Sequence, residues 1–169
     1  MPLWRDGRFA DDVWTALDDA APLPERGAIV VPLARWDKEK AALETRADPV
    51  GVEIAAGKDA LPHLAEAAHR PLVALRFDKF ADGRAFSYAE LLRSRHGFKG
   101  ELRATGEVLL DEIPLMARCG FSSFAVSDAN TLRALKEGRL PRRSLYYQPA
   151  LGPHEAPAGT RPWLRRAAS

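Results

Sequence analysis

Five short runs rich in apolar and β-branched residues, each followed by a helix-forming stretch, constrain this chain more than any other feature. They are AIVVPLA (Ala28–Ala34), GVEIA (Gly51–Ala55), LVALRFD (Leu72–Asp78), ELRATG (Glu101–Gly106) and SFAVS (Ser123–Ser127). Parallel neighbours need a long crossover between them, so alternating strand and helix signals predict a mainly parallel sheet of about five strands built from βα units. Successive strand residues point to opposite faces. One face then holds Val52, Ile54, Val73, Leu75, Phe77, Leu102, Ala104, Phe124 and Val126, and the other holds Glu53, Arg76, Asp78, Glu101, Arg103 and Thr105 among small residues. A strand buried on both faces reads as one continuous apolar run, which these do not. Right-handed crossovers between sequential neighbours place every helix on the same side. The expected fold is therefore α/β, a curled sheet of sequential order resembling part of a (βα) barrel, with charges on the inner face. The alternative is a doubly wound, flavodoxin-like three-layer sandwich.

Turn chemistry divides the rest. Asp6-Gly7 inside LWRDGRF predicts a two-residue hairpin turn. DDVWTALDD reads as a short amphipathic helix, and APLPERG as a proline-marked linker. Asp37, Asp59, Asp111 and Asp128 are placed to cap the helices that follow them, and Ser87 to Glu90 has capping-box spacing. Gly97, Gly120 and Gly138 are placed to end helices. The organisation predicted is an N-terminal hairpin and helix over 1–27, an α/β core over 28–148 and a loosely held tail rich in Pro, Gly and Arg over 149–169.

Composition excludes several functions. A chain of 169 residues can bury a core without staples. Its net charge of +2 does not suit non-specific nucleic-acid binding, which needs several phosphates neutralised together. Cys119 is the single cysteine, so no internal disulfide forms and a reducing, cytoplasmic setting is expected. No apolar run suits a membrane span, and MPLWRDGRF carries charges where an export signal needs apolar residues.

Ligands of parallel α/β sheets bind beyond the carboxyl ends of the strands, where loops and helix N-termini gather. Those ends carry Asp78, Asp82, Glu107 and Asp111 as candidate acids or bases, with Arg76, Arg84, Arg103 and Glu112 as candidate ligand-binding residues. Ion pairing between neighbouring strands explains the same charges equally well, since desolvated lone charges are costly. No glycine-rich phosphate loop is present, and His63, His69, His96 and His154 lack metal-ligand spacing, so no cofactor and no metal are expected. Cys119 reads as a packed small hydrophobe.

The stretch FADGRAFSYAELLR (Phe80–Arg93), followed by GELRA (Gly100–Ala104), GEVL (Gly106–Leu109), Asp111 and CGF (Cys119–Phe121), resembles a bacterial family of uncharacterised proteins labelled as oxidoreductases of sulfite reduction. Its members are typically encoded beside sulfite reductase. The likeness covers roughly Trp14 to Tyr147. The family pattern has Asp-Gln after its Gly-Glu-Val-Leu run, whereas this chain has Asp111-Glu112. The resemblance implies a part in assimilatory sulfur metabolism and names no catalytic residue. The leading expectation is a cofactor-free accessory protein that docks to sulfite reductase or binds an oxyanion at the strand ends. The alternatives are an oxidoreductase or acid/base enzyme of the same pathway, and a homodimeric scaffold that hides its polar sheet face against a second copy.

Overall fold

In the computed structural model the first elements are a hairpin, Leu3–Arg5 (β1) and Arg8–Ala10 (β2). Asp6 and Gly7 both have positive φ, the geometry of the predicted two-residue turn. Residues 1–55, 57–78, 83–141, 145–146, 155–158 and 161–167 are described. Trp14–Ala16 (β3) is a strand, which corrects the helix expected over DDVWTALDD. The five expected strands follow as Ala28–Pro32 (β4), Val50–Ala55 (β5), Leu72–Phe77 (β6), Glu101–Gly106 (β7) and Ser123–Ala125 (β8). Between them lie helices Leu33–Glu44 (α1), Leu64–Ala67 (α2, preceded by a 3₁₀ turn over Lys58–His63), Arg84–Ser94 (α3) and Ile113–Arg118 (α4). Ala129–Lys136 (α5) follows the last of them.

Among the described residues these strands form one sheet of eight, in the order β2-β1-β8-β7-β6-β5-β4-β3, rather than about five. β3 to β8 run parallel, and the hairpin adds to β8 antiparallel. The hairpin itself was expected, but not that its strands would join the main sheet, and β3 is the one added strand read otherwise from the sequence. In the tail, Leu145–Tyr146 (β9), Glu155–Ala158 (β10) and Arg161–Ala167 (β11) pair as a separate antiparallel sheet.

All five helices pack on one side. Trp36 and Leu43 of α1, Leu64 of α2, Leu92 of α3, Met116 of α4 and Leu135 of α5 share a single buried cluster with Val52, Ile54, Val73, Leu75, Phe77, Leu102 and Phe124. That sheet face is the one sorted as apolar from the sequence. The doubly wound alternative needs helices on both faces and is set aside.

The sheet must also curl. β2 and β3 are its two outer edges, seven strand spacings apart, which would be roughly 33 Å in a flat sheet. Only four peptide steps join Ala10 to Trp14, a reach of at most about 14 Å. The two edges are therefore drawn toward each other in an open, barrel-like form, strapped by residues 11–13.

The inner face has two textures. Near the N-terminal ends of β4 to β6 it is apolar, with Trp14 packed on Val30, Leu72 and Ala74. Gly51 allows this closeness, since a Cβ there would lie 3.0 Å from Leu72. Across β7, β8 and the carboxyl ends it is polar.

Several helix starts differ from expectation. α1 begins directly after Pro32, so Asp37 lies inside it, and α3 begins after Gly83, so Ser87 lies inside that helix. The 3₁₀ turn follows Gly57 rather than being capped by Asp59, and α4 has Glu112, not Asp111, at its N-cap, without a side-chain bond. Asp128 does cap α5, accepting from Thr131 N at 2.6 Å. Gly97, Gly120 and Gly138 all have positive φ, as helix-ending glycines should.

Candidate functional site

Arg76 and Arg103 stand on the same inner face, because Thr105 is in register with Arg76 and lies two residues beyond Arg103. Each is held by carboxylates. Arg76 Nε donates to Asp78 Oδ1 at 2.7 Å and its Nη1 to Glu53 Oε1 at 3.2 Å. Burial opposes the charge of this guanidinium, but the bond to Asp78 and the charge of Glu53 outweigh it and hold its pKa above the ordinary value. The other Glu53 oxygen accepts from Thr105 Oγ1 at 2.9 Å.

Deeper in the hollow, Arg103 is only 6% exposed at its side chain. Its Nη1 and Nη2 donate to the two oxygens of Asp12 at 2.8 and 2.9 Å, a bidentate fork. Nε and Nη2 also donate to Glu101 Oε1 at 3.0 and 2.8 Å. Ser123 Oγ donates to the same oxygen at 2.6 Å, and Arg5 approaches the other one at 3.6 Å. Sequence reading missed Asp12, because a residue placed in a helix at the far end of the chain carries no signal that it will cross the hollow. Strand alternation had already put Ser123 and Thr105 on this face.

The rim lies at the carboxyl ends. Gly106 is in register with Phe77, and Glu107 N donates to Phe77 O at 2.9 Å, so the segment carrying Glu107 runs beside Asp78. Gly106 is required there: its φ is +82°, and a Cβ would collide with the Phe77 carbonyl. Asp78, Arg84, Glu107 and Asp111 are exposed, and Glu112 is half-buried. Asp82 lies outside the described residues. Burial, then the charges of Asp111 and Glu107, push the Glu112 carboxyl above its usual range, and its Oε2 is buried without a hydrogen-bond partner.

The arrangement brings Arg76, Asp78 and Glu53 together, and separately Glu107, Asp111 and Glu112. Arg103 belongs to the interior and not to the rim. An oxyanion arriving at either inner arginine would have to displace a carboxylate already bound. Among the described residues no group of three or more His, Cys, Asp or Glu is placed to hold a metal ion, and no helix is long and apolar enough to cross a membrane. Burial, followed by the neighbouring charge of Glu90, pushes the Cys119 thiol up to about 11, so at neutral pH it is not a nucleophile.

No curated protein and no solved structure matches the chain. A family model does match, over residues 51–157, which takes in β5 to β8, the rim and the helices between them. The chain thus belongs to the family described as "Bacterial protein of unknown function (DUF934)".

Proposed function

We propose that the chain is a cofactor-free accessory protein of assimilatory sulfite reduction that docks to sulfite reductase through the rim at the carboxyl ends of its strands. The pathway rests on the likeness of Phe80–Arg93 and Gly100–Leu109 to the sulfite-reduction family. One observation favours docking over oxyanion capture: Arg76 and Arg103 already have their forks engaged by Glu53, Asp78, Glu101 and Asp12. Asp78, Arg84, Glu107 and Asp111 are exposed at this edge, which carries more acid than base. Such an edge steers and registers a partner of opposite charge, and its effect is screened by salt.

The test is capture of purified sulfite reductase by the full chain. Capture is expected at low salt, weakened several-fold by Asp78→Ala with Glu107→Ala, and lost at about 0.5 M salt. No capture by the unmodified chain removes docking. Heat released on titration with sulfite or sulfate would restore the oxyanion reading.

A second reading, an acid–base catalyst of the same pathway, is favoured by the raised carboxyl of Glu112. It requires that Glu112→Gln lower pathway flux while leaving capture unchanged. The scaffold reading requires a second copy over the inner face, and a monomer in sedimentation removes it.

A further inference from the structure

On the helix-covered side of the sheet, a groove of about 800 Å³ opens between the β1–β2 hairpin, α4 and the loops that precede β7 and β8. Its walls are apolar and largely aromatic: Trp4, Phe98, Ile113, Phe121, Phe124 and Leu140. Among the described residues two cations line it, Arg93 and Lys99, against one acid, Asp6, which lies 4.0 Å from Arg5.

Arg93 differs from every inner-face arginine. Its Nε donates to Gly120 O at 2.9 Å, and its Nη1 to Phe98 O and Gly100 O at 2.8 and 3.0 Å. The guanidinium carbon lies 5.0 Å from the centre of the Phe98 ring. No carboxylate among the described residues pairs with it. Burial alone lowers its pKa, with no acid opposing the shift. Carbonyl dipoles hold the group in place, and no acid among the described residues compensates its unit charge, in a wall where a desolvated cation gains most from a counter-ion. The chain is shaped to keep it there. A Cβ on Gly120 would lie 2.6 Å from Arg93 Cγ, and Lys99 belongs to the loop whose carbonyls fix the guanidinium.

We propose that this groove binds a small amphipathic anion, with an aromatic or acyl body against Trp4, Phe121 and Phe124 and a carboxylate or sulfonate at Arg93 and Lys99. The volume falls within the usual range of small-molecule sites, and apolar walls with one or two placed charges are their ordinary composition. The site is independent of the docking rim.

Fluorescence titration of the full chain with 8-anilinonaphthalene-1-sulfonate, and with the uncharged N-phenyl-1-naphthylamine, tests the assignment. The sulfonate should bind saturably at one site, about tenfold more tightly than its neutral counterpart. Lys99→Glu should weaken the sulfonate about five- to tenfold and leave the neutral probe unchanged. Ala117 is exposed on α4 and lines the groove, so Ala117→Trp should abolish sulfonate binding while far-ultraviolet circular dichroism and Tm stay as in the parent. Equal affinity for the two probes, retained binding by folded Ala117→Trp, or no sulfonate binding at millimolar concentration overturns the proposal. A dimer that occludes the groove and excludes the probe would overturn it too.

Discussion

At the scale of single residues, Glu112 has the least comfortable charge described on the rim. Its folded pKa lies above the ordinary carboxylate value, so the fold prefers the neutral form. The preference costs nothing while the group is protonated in both states, below a pH of about 4, and destabilises the fold as pH rises through the raised value. Glu112→Gln keeps the shape and removes the charge. It should raise Tm by roughly 1–3 °C at pH 7 to 8, a small effect because the group is partly solvated, with the gain vanishing at acid pH. A Tm unchanged at neutral pH would remove this account of the carboxyl. The two most engaged arginines teach a related lesson. Strand alternation was enough to put Arg103 on the charged face, but not to say that Asp12 would reach it, because that partner is 91 residues away in sequence. Arg93 lies near the end of α3, and the folded loops around Phe98 and Gly120 hold it through their carbonyls.

At the scale of elements, strands and some caps were legible where a local rule acts alone. Asp6-Gly7 specified its turn, and Asp128 specified its cap, since a side chain three residues from an orphan amide needs no help from tertiary structure. Elements that depend on neighbours were not legible. Val13, Ala16 and Leu17 give DDVWTALDD a helical period, yet so short a segment nucleates poorly in isolation. Asp12 Oδ1 accepts instead from Trp14 N at 3.1 Å in a local turn, and the open edge of β4 supplies the backbone partners that make β3 a strand. α1 and α3 start earlier than their apparent caps because Pro32 and Gly83 already direct the chain into the helix. The turn between α4 and β8 gives the prediction at this level. Gly120 has φ +104° and no room for a Cβ beside Arg93, so Gly120→Ala should cost about 2–3 kcal/mol and release Arg93 from its carbonyls. Denaturant unfolding measures the cost. A neutral Gly120→Ala would show that the Arg93 staple contributes little.

For the whole molecule, the sequential order of the parallel strands and the single helical layer followed from handedness and face sorting, while closure did not. Closure depends on the three-residue strap and on the bidentate contact between Asp12 and Arg103 that ties it across the hollow. Removing the buried guanidinium strands Glu101 and Asp12 together, so Arg103→Ala should cost about 3–5 kcal/mol. Asp12→Ala leaves Arg103 its Glu101 partner and should cost less, about 1–3 kcal/mol. The double variant should cost less than the two single changes added, measured by urea unfolding, because the pair acts as one unit. Strict additivity would mean that the strap is held by its backbone alone.

The hairpin that opens the chain pairs with Ser123–Ala125, although β3, only a few residues later, pairs with Ala28–Pro32. A polypeptide emerging from the ribosome therefore leaves one side of β1 without its strand partner, its backbone groups unsatisfied, until residues 123–125 have been translated. Stalled nascent chains ending before residue 123 should remain protease-sensitive at the N-terminus, and resistance should appear only once β8 has cleared the exit tunnel.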